Sequence, residues 1–141
     1  MATDSQMSVT HNLNGILVPH STVMIHGKVN PDPDRFAVGF HKDDETILFH
    51  LIVRFRNGKG LILNSRNNNV WGNEEIKSDI SPFSPGKEFK IGIESLEDSF
   101  KVSVDDKHLL TFNARIKPLK DINYINIWGD FEMFRLLVSL K

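Results

Sequence analysis

The feature that most limits what this chain can fold into is a period-two alternation of apolar and polar residues, repeated along most of its length. Phe36, Val38 and Phe40 share one face of a segment, as do Phe89, Ile91 and Ile93, and again Phe100, Val102 and Val104. Successive side chains on a strand point to opposite faces, so each run reads as a half-buried strand. On this basis strands are predicted over 22–28, 35–41, 46–55, 60–65, 88–95, 99–104, 108–112, 122–128 and 132–139. Turn-forming residues separate them: Pro31-Asp32-Pro33-Asp34, Asp43-Asp44, Asn57-Gly58, Pro82 to Pro85-Gly86, and Asp105-Asp106. No stretch of ten or more residues combines helical periodicity with caps. Short strands at intervals of about 8–12 residues predict an all-β antiparallel sandwich.

At 141 residues the chain has room for one domain with a real core. Residues 1–10 are polar and are expected to be a flexible tail, leaving 11–141 as a single domain. They also lack the apolar core of a signal peptide, which makes the cytoplasm the expected location. The net charge is −1, which offers no electrostatic footprint for nucleic acid or an acidic membrane. No apolar run is long enough to span a bilayer. There is no cysteine, so disulfides, thiolate metal sites and thiol catalysis are excluded, and the redox compartment stays open.

The alternation also separates core from candidate site. Within 46–55, Phe49, Leu51, Val53 and Phe55 fall on one face, and Leu48, His50, Ile52 and Arg54 on the other. The apolar set should meet a second sheet. His50 and Arg54 then point away from the core, roughly 13 Å apart along the strand. Asn57-Gly58 is a hairpin signal that folds 60–65 back alongside, with Ile62 and Asn64 on the outer face. Arg35, Ala37 and Gly39 point the same way from 35–41, and Trp71-Gly72-Asn73-Glu74 arrives on the next strand. An indole near an imidazole, a guanidinium, an amide and a carboxylate is the chemistry that holds a sugar. The ring covers the apolar face of a pyranose, and the polar groups meet its hydroxyls. Plainer roles exist for each residue. His50 is also readable as structural, Arg54 and Glu74 as an ion pair organising the sheet, Asn64 as a strand-end turn residue, and Arg35 as a solvated surface cation.

Catalysis is not expected. Glycoside hydrolysis needs two carboxyl groups facing each other across the bond, whereas Glu74 and Glu75 are adjacent and face opposite ways on a strand. No nucleophile motif is present, the six histidines lack metal-ligand spacing, and there is no glycine-rich phosphate loop. No cofactor or metal is expected.

From about Asn12 to Leu140 the chain resembles the galectins. In that family a strand reading His-x-Asn-x-Arg is followed by a strand ending in Asn and then by Trp-Gly-x-Glu-x-Arg. Here the sequence reads His50-Leu51-Ile52-Val53-Arg54, then Asn64, then Trp71-Gly72-Asn73-Glu74-Glu75-Ile76. Pro82-Phe83-Ser84-Pro85-Gly86, Phe100-Lys101-Val102 and Gly129-Asp130 are also galectin-like. The resemblance implies a jelly-roll sandwich of two antiparallel sheets, with a groove for β-galactosides on the concave sheet. It implies that His50 and Arg54 read the axial O4 of galactose, Asn64 and Glu74 hold O6, and Trp71 stacks. The implied partners are glycans or glycoproteins with terminal galactose, with export from the cell without a signal peptide and a homodimer through an edge strand in 122–128 or 132–139.

The chain departs from the family at three places. Ile52 replaces the Asn between His50 and Arg54, and Ile76 replaces the final Arg, which in the family works with the Glu on the next sugar. The family's Leu-x-Pro-Gly turn reads Leu17-Val18-Pro19-His20. Neither isoleucine can hydrogen-bond, so weakened or altered specificity is expected, with Arg35 as a candidate groove extension. The alternative is a galectin-fold protein that has lost sugar binding and acts through protein contacts.

Overall fold

The computed structural model describes residues 7–13 and 19–139. Its strands are β1 (Met7–Asn12), β2 (Ser21–Val29), β3 (Arg35–His41), β4 (Ile47–Arg54), β5 (Gly60–Asn67), β6 (Val70–Trp71) and β7 (Glu75–Lys77). They are followed by β8 (Glu88–Ser95), β9 (Ser99–Val104), β10 (Lys107–Asn113), β11 (Tyr124–Gly129) and β12 (Phe131–Ser139), with one 3₁₀ turn at Leu119–Asp121. The strands form two antiparallel sheets in a jelly-roll sandwich. The larger runs β1-β11-β3-β4-β5-β6, with β7 also on β5; the smaller runs β10-β9-β8-β2-β12.

The inward faces of the two sheets meet through phenylalanine. Phe36, Phe40, Phe49, Phe89, Phe100, Phe112 and Phe131 are all fully buried. Phe36 on the larger sheet lies 5.2 Å from the Phe89 ring and 4.9 Å from Phe131, both on the smaller sheet. Phe49 reaches Phe100 at 5.0 Å and Phe112 at 5.7 Å in the same way. Aromatic contacts of this kind add specific geometry to the burial of large apolar areas. The alternation predicted this inner set, and all of its members in β3, β4, β8 and β9 are buried.

Three expectations are corrected. First, the residues read as a tail include Met7–Thr10, which belong to β1 and pair with Gly129–Asn126 of β11. β1 has no apolar alternation strong enough to announce it, because one of its faces covers little. Second, Leu48 does not point into the groove. β4 carries one extra residue between Ile47 and His50 relative to both neighbours. That bulge places Leu48 in the core at 1% exposure and keeps His50 facing out. Third, 122–128 provides no free edge, since β11 is paired with β1 on one side and β3 on the other; β12 does lie at the edge of its sheet. Of the turn with the family departure, Leu17 and Val18 lie outside the described residues. His20 stands there at a φ of 69°, a conformation that glycine adopts at no steric cost.

Among the described residues no helix is long and apolar enough to cross a membrane.

Candidate functional site

The outward face of the larger sheet is organised in rungs, rows of residues in register across the strands. One rung reads Thr10–Asn126–Gly39–His50–Asn64 and is polar. On one side of it lies Ser8–Trp128–Ala37–Ile52–Ile62–Ile76, apolar after its first residue. On the other side lies Asn12–Tyr124–His41–Ile47–Arg66–Trp71. Beyond the apolar rung, Arg35 pairs with Arg54 and Arg54 with Gly60. A pocket of about 340 Å³ opens across the middle rungs, lined by His50, Ile52, Ile62, Asn64, Trp71, Gly72 and Glu74.

Trp71 is delivered by a tight turn. β5 and β6 are joined by Asn68-Asn69, with φ of 49° and 69°. Positive φ at both central residues is what a two-residue hairpin of matching twist requires, and asparagine tolerates it. The turn is tied to the β3–β4 connection. The Asn69 amide donates to the Glu45 carbonyl at 2.9 Å, and the Asn68 amide donates to Thr46 Oγ1 at 3.2 Å. The indole is left 46% exposed, with the His50 ring at 5.0 Å and the Arg66 guanidinium 5.5 Å from its centroid. A large apolar ring held from behind and open in front is a stacking platform.

Asn64 is buried and largely committed to structure. Its Nδ2 donates to the Gly72 carbonyl at 3.0 Å, and its Oδ1 accepts from the Ser65 amide at 2.8 Å and from Arg115 Nη1 at 2.9 Å. An amide nitrogen has two hydrogens, so one donor on Nδ2 remains for a ligand. Arg115 also donates to Glu75 Oε2 at 3.0 Å. It thereby clamps both sides of the Trp71–Glu74 segment. Gly72 makes room for it, since a Cβ there would sit 2.9 Å from Arg115 Nη1 and 3.2 Å from Asn64 Oδ1. The sequence reading missed Arg115, which follows β10 of the opposite sheet. Only the three-dimensional packing brings it to the groove.

Glu74 lines the pocket while Glu75 faces Arg115, so the two carboxylates do point apart. Arg54 does not line the pocket; its Nε donates to the Gly58 carbonyl at 2.7 Å, within its own hairpin. Among the described residues no ion pair joins it to Glu74. Arg35 lies with its guanidinium 5.5 Å from the Trp128 ring centroid, at the end of the groove away from Trp71. Ile52 lines the pocket beside Ile62, and Ile76 stands next in the same rung, 58% exposed. The two departures are therefore neighbours of Ile62 on either side.

Burial pushes the His50 imidazole down to about 4, with a smaller contribution from His41, so it is neutral at pH 7. Burial also lowers His41, whose ring stacks on Tyr124 at 4.7 Å. Burial, and a hydrogen bond to Asp44, push the Tyr124 phenol up to about 12. The pocket thus carries one formal charge, the Glu74 carboxylate. Among the described residues no cluster of three or more His, Asp or Glu side chains is placed to hold a metal.

The sequence pattern of the galactoside-binding lectins matches residues 8–138. The chain belongs to the galactoside-binding lectin family. It is 37% identical to galectin-3 of Oryctolagus cuniculus over 123 residues, 86% of this chain and 50% of the relative. It is likewise 37% identical to galectin-8 of Rattus norvegicus over 118 residues, 80% of this chain and 37% of the relative. The chain therefore spans half or less of the length of these curated relatives. Among solved structures it resembles sheep galectin-11 in complex with glycerol. The TM-score is 0.78 and the identity 20%, with 99% of each chain covered; that likeness is one of fold.

Two outcomes follow from this geometry. Arg115→Ala should leave Asn64 Oδ1 and Glu75 without their shared partner, a loss of about 1–3 kcal/mol. Amide exchange at Gly72, which donates to the Ser65 carbonyl at 2.9 Å, should then quicken; an unchanged rate would contradict the clamp. His50 titrates lower in the fold than its ordinary value of 6.5, so the unfolded chain binds more protons between the two values. Stability is complete above about pH 6.5 and should decline as pH falls toward about 4. In urea melts, His50→Gln should flatten that decline; an equal slope in both proteins would contradict it.

Proposed function

We propose that the groove binds β-galactoside-containing glycans, with Trp71 stacking on the sugar while His50, Asn64 and Glu74 meet its hydroxyls. The observation that carries this reading is the half-exposed Trp71 beside a pocket that also holds His50, Asn64 and Glu74. The family match supports the sugar class. Within one carbohydrate-recognition domain, which takes in β1 from Met7, the neutral His50 ring offers either a donor or an acceptor according to its tautomer. Asn64 offers its remaining N–H, and Glu74 two acceptor oxygens. Arg54 acts from the rim, because its Nε is held by Gly58. Arg35 is engaged with Trp128 and extends the groove at its far end.

Specificity is weakened or altered relative to the family's pattern. A neutral hydrogen bond is worth about 0.5–1.5 kcal/mol and one to a charged group about 1.5–3. Loss of both at Ile52 and Ile76 weakens a simple galactoside by roughly 30- to 1000-fold. The same two residues favour the second reading, a galectin-fold protein that has abandoned sugars for protein contacts. A homodimer through the β12 edge fits either reading. Cytoplasmic residence, with export independent of a signal peptide, follows the family.

Lactose titration followed by tryptophan fluorescence tests the choice, with Trp71→Ala separating Trp71 from Trp128. A saturable change that disappears in Trp71→Ala is expected. In the double variant Ile52→Asn with Ile76→Arg, lactose affinity should rise about 30-fold or more. A flat titration in both the native chain and the double variant would favour the protein-contact reading.

A further inference from the structure

The apolar rung has a chemistry of its own. Trp128, Ala37, Ile52, Ile62 and Ile76 are in register across five strands, so the two departures complete one continuous strip. Strands in a sheet lie about 4.8 Å apart, so the stretch from Ile52 to Ile76 covers roughly 10 Å. Ile52 and Ile62 line the same pocket as Trp71, His50 and Glu74, and Ile76 continues the strip to the open edge at 58% exposure. A sugar seated on Trp71 and the polar rung therefore has the isoleucines immediately beside it. Of the nearby cations, Arg66 lies against the Trp71 ring and Arg115 is bonded to Asn64 and Glu75. No Lys or Arg lines the pocket, Arg54 is bound to its own turn, and Glu74 makes the pocket's one charge negative. An anionic glycan would meet the Glu74 carboxylate, the one charged side chain that lines the pocket. A second polar sugar would lay hydroxyls against side chains that can neither donate nor accept.

We propose that this groove selects neutral β-galactosides whose aglycone is apolar, with the aglycone lying on the Ile52–Ile62–Ile76 strip. The proposal rests on the galactoside reading above and names the class of ligand for the same site. The strip replaces hydrogen-bonded recognition of a following sugar with burial of apolar surface, which is roughly proportional to area and undemanding in direction. Ile76 is the residue that sets the preference. It is the most exposed member of the strip next to the sugar, and its partner in register, Ile62, is only 3% exposed.

Calorimetric titration of the full chain with methyl β-galactoside and phenyl β-galactoside tests this. The phenyl compound should bind about tenfold tighter or more. In Ile76→Ser, whose side chain is on the surface, the ratio of phenyl to methyl β-galactoside affinity should shrink; Ile52→Ser should act in the same direction. Equal affinities for the two galactosides would overturn the aglycone preference and leave the galactoside reading standing. A phenyl advantage undiminished in both serine variants would also overturn it, because the strip would not be the source. If neither galactoside binds, the galactoside reading fails and this one fails with it.

Discussion

The groove depends on aromatic packing on the opposite face of the same strands. Phe36 and Phe49 reach across the sandwich to Phe89, Phe131, Phe100 and Phe112. Because side chains alternate along a strand, fixing these rings inward fixes Ala37, His50 and Ile52 outward. A one-residue slip of β4 would exchange the two sets. The bulge at Leu48 is the local adjustment that preserves this arrangement. It absorbs one residue, sends Leu48 into the core, and leaves His50 in register with Gly39 and Asn64. Gly39 has to be small at that crossing, since a Cβ there would lie 2.9 Å from His41 Nε2 and 3.3 Å from His50 Cδ2.

The strands were readable because alternation is a strong signal wherever one face is buried. β3, β4, β8 and β9 show it plainly. β1 does not, because its residues are mostly exposed and its place comes from backbone pairing with β11. The Leu48 bulge leaves no mark in composition, as an inserted residue in an apolar strand looks like more strand. The Asn68-Asn69 turn was legible in principle, since paired asparagines suit positive φ, yet its length and register were not. At the site, the sequence placed His50, Arg54, Asn64, Trp71 and Glu74 on one face; the pocket gathers four of them and leaves out Arg54. It missed Arg115, which is distant in sequence. It also could not show that Arg54 would be held by the Gly58 carbonyl rather than by a carboxylate.

Read rung by rung, Ile52 and Ile76 form a single change. Each alone would remove one polar group from a polar surface. Flanking Ile62 in register, together they turn a whole row apolar, from Trp128 to the open edge of the sheet. The polar rung beside it keeps its hydrogen-bonding groups, and Arg115 keeps the Trp71 segment in place from behind. The outcome is a pocket with a stacking ring, a neutral imidazole, one amide donor, one carboxylate and an aliphatic floor. Such a set can hold a neutral sugar by few polar contacts, so each remaining contact carries more of the binding.

The most direct test is to map where a galactoside sits. Amide and side-chain chemical shifts of the isotopically labelled chain would be followed as methyl β-galactoside is added. The Trp71 indole N–H, the Asn64 side-chain amide and the backbone amides of His50, Gly72 and Glu74 should shift together with one saturation curve. Shifts confined to the outer face of the smaller sheet, or none at saturating sugar, would contradict a sugar-binding groove on the larger sheet.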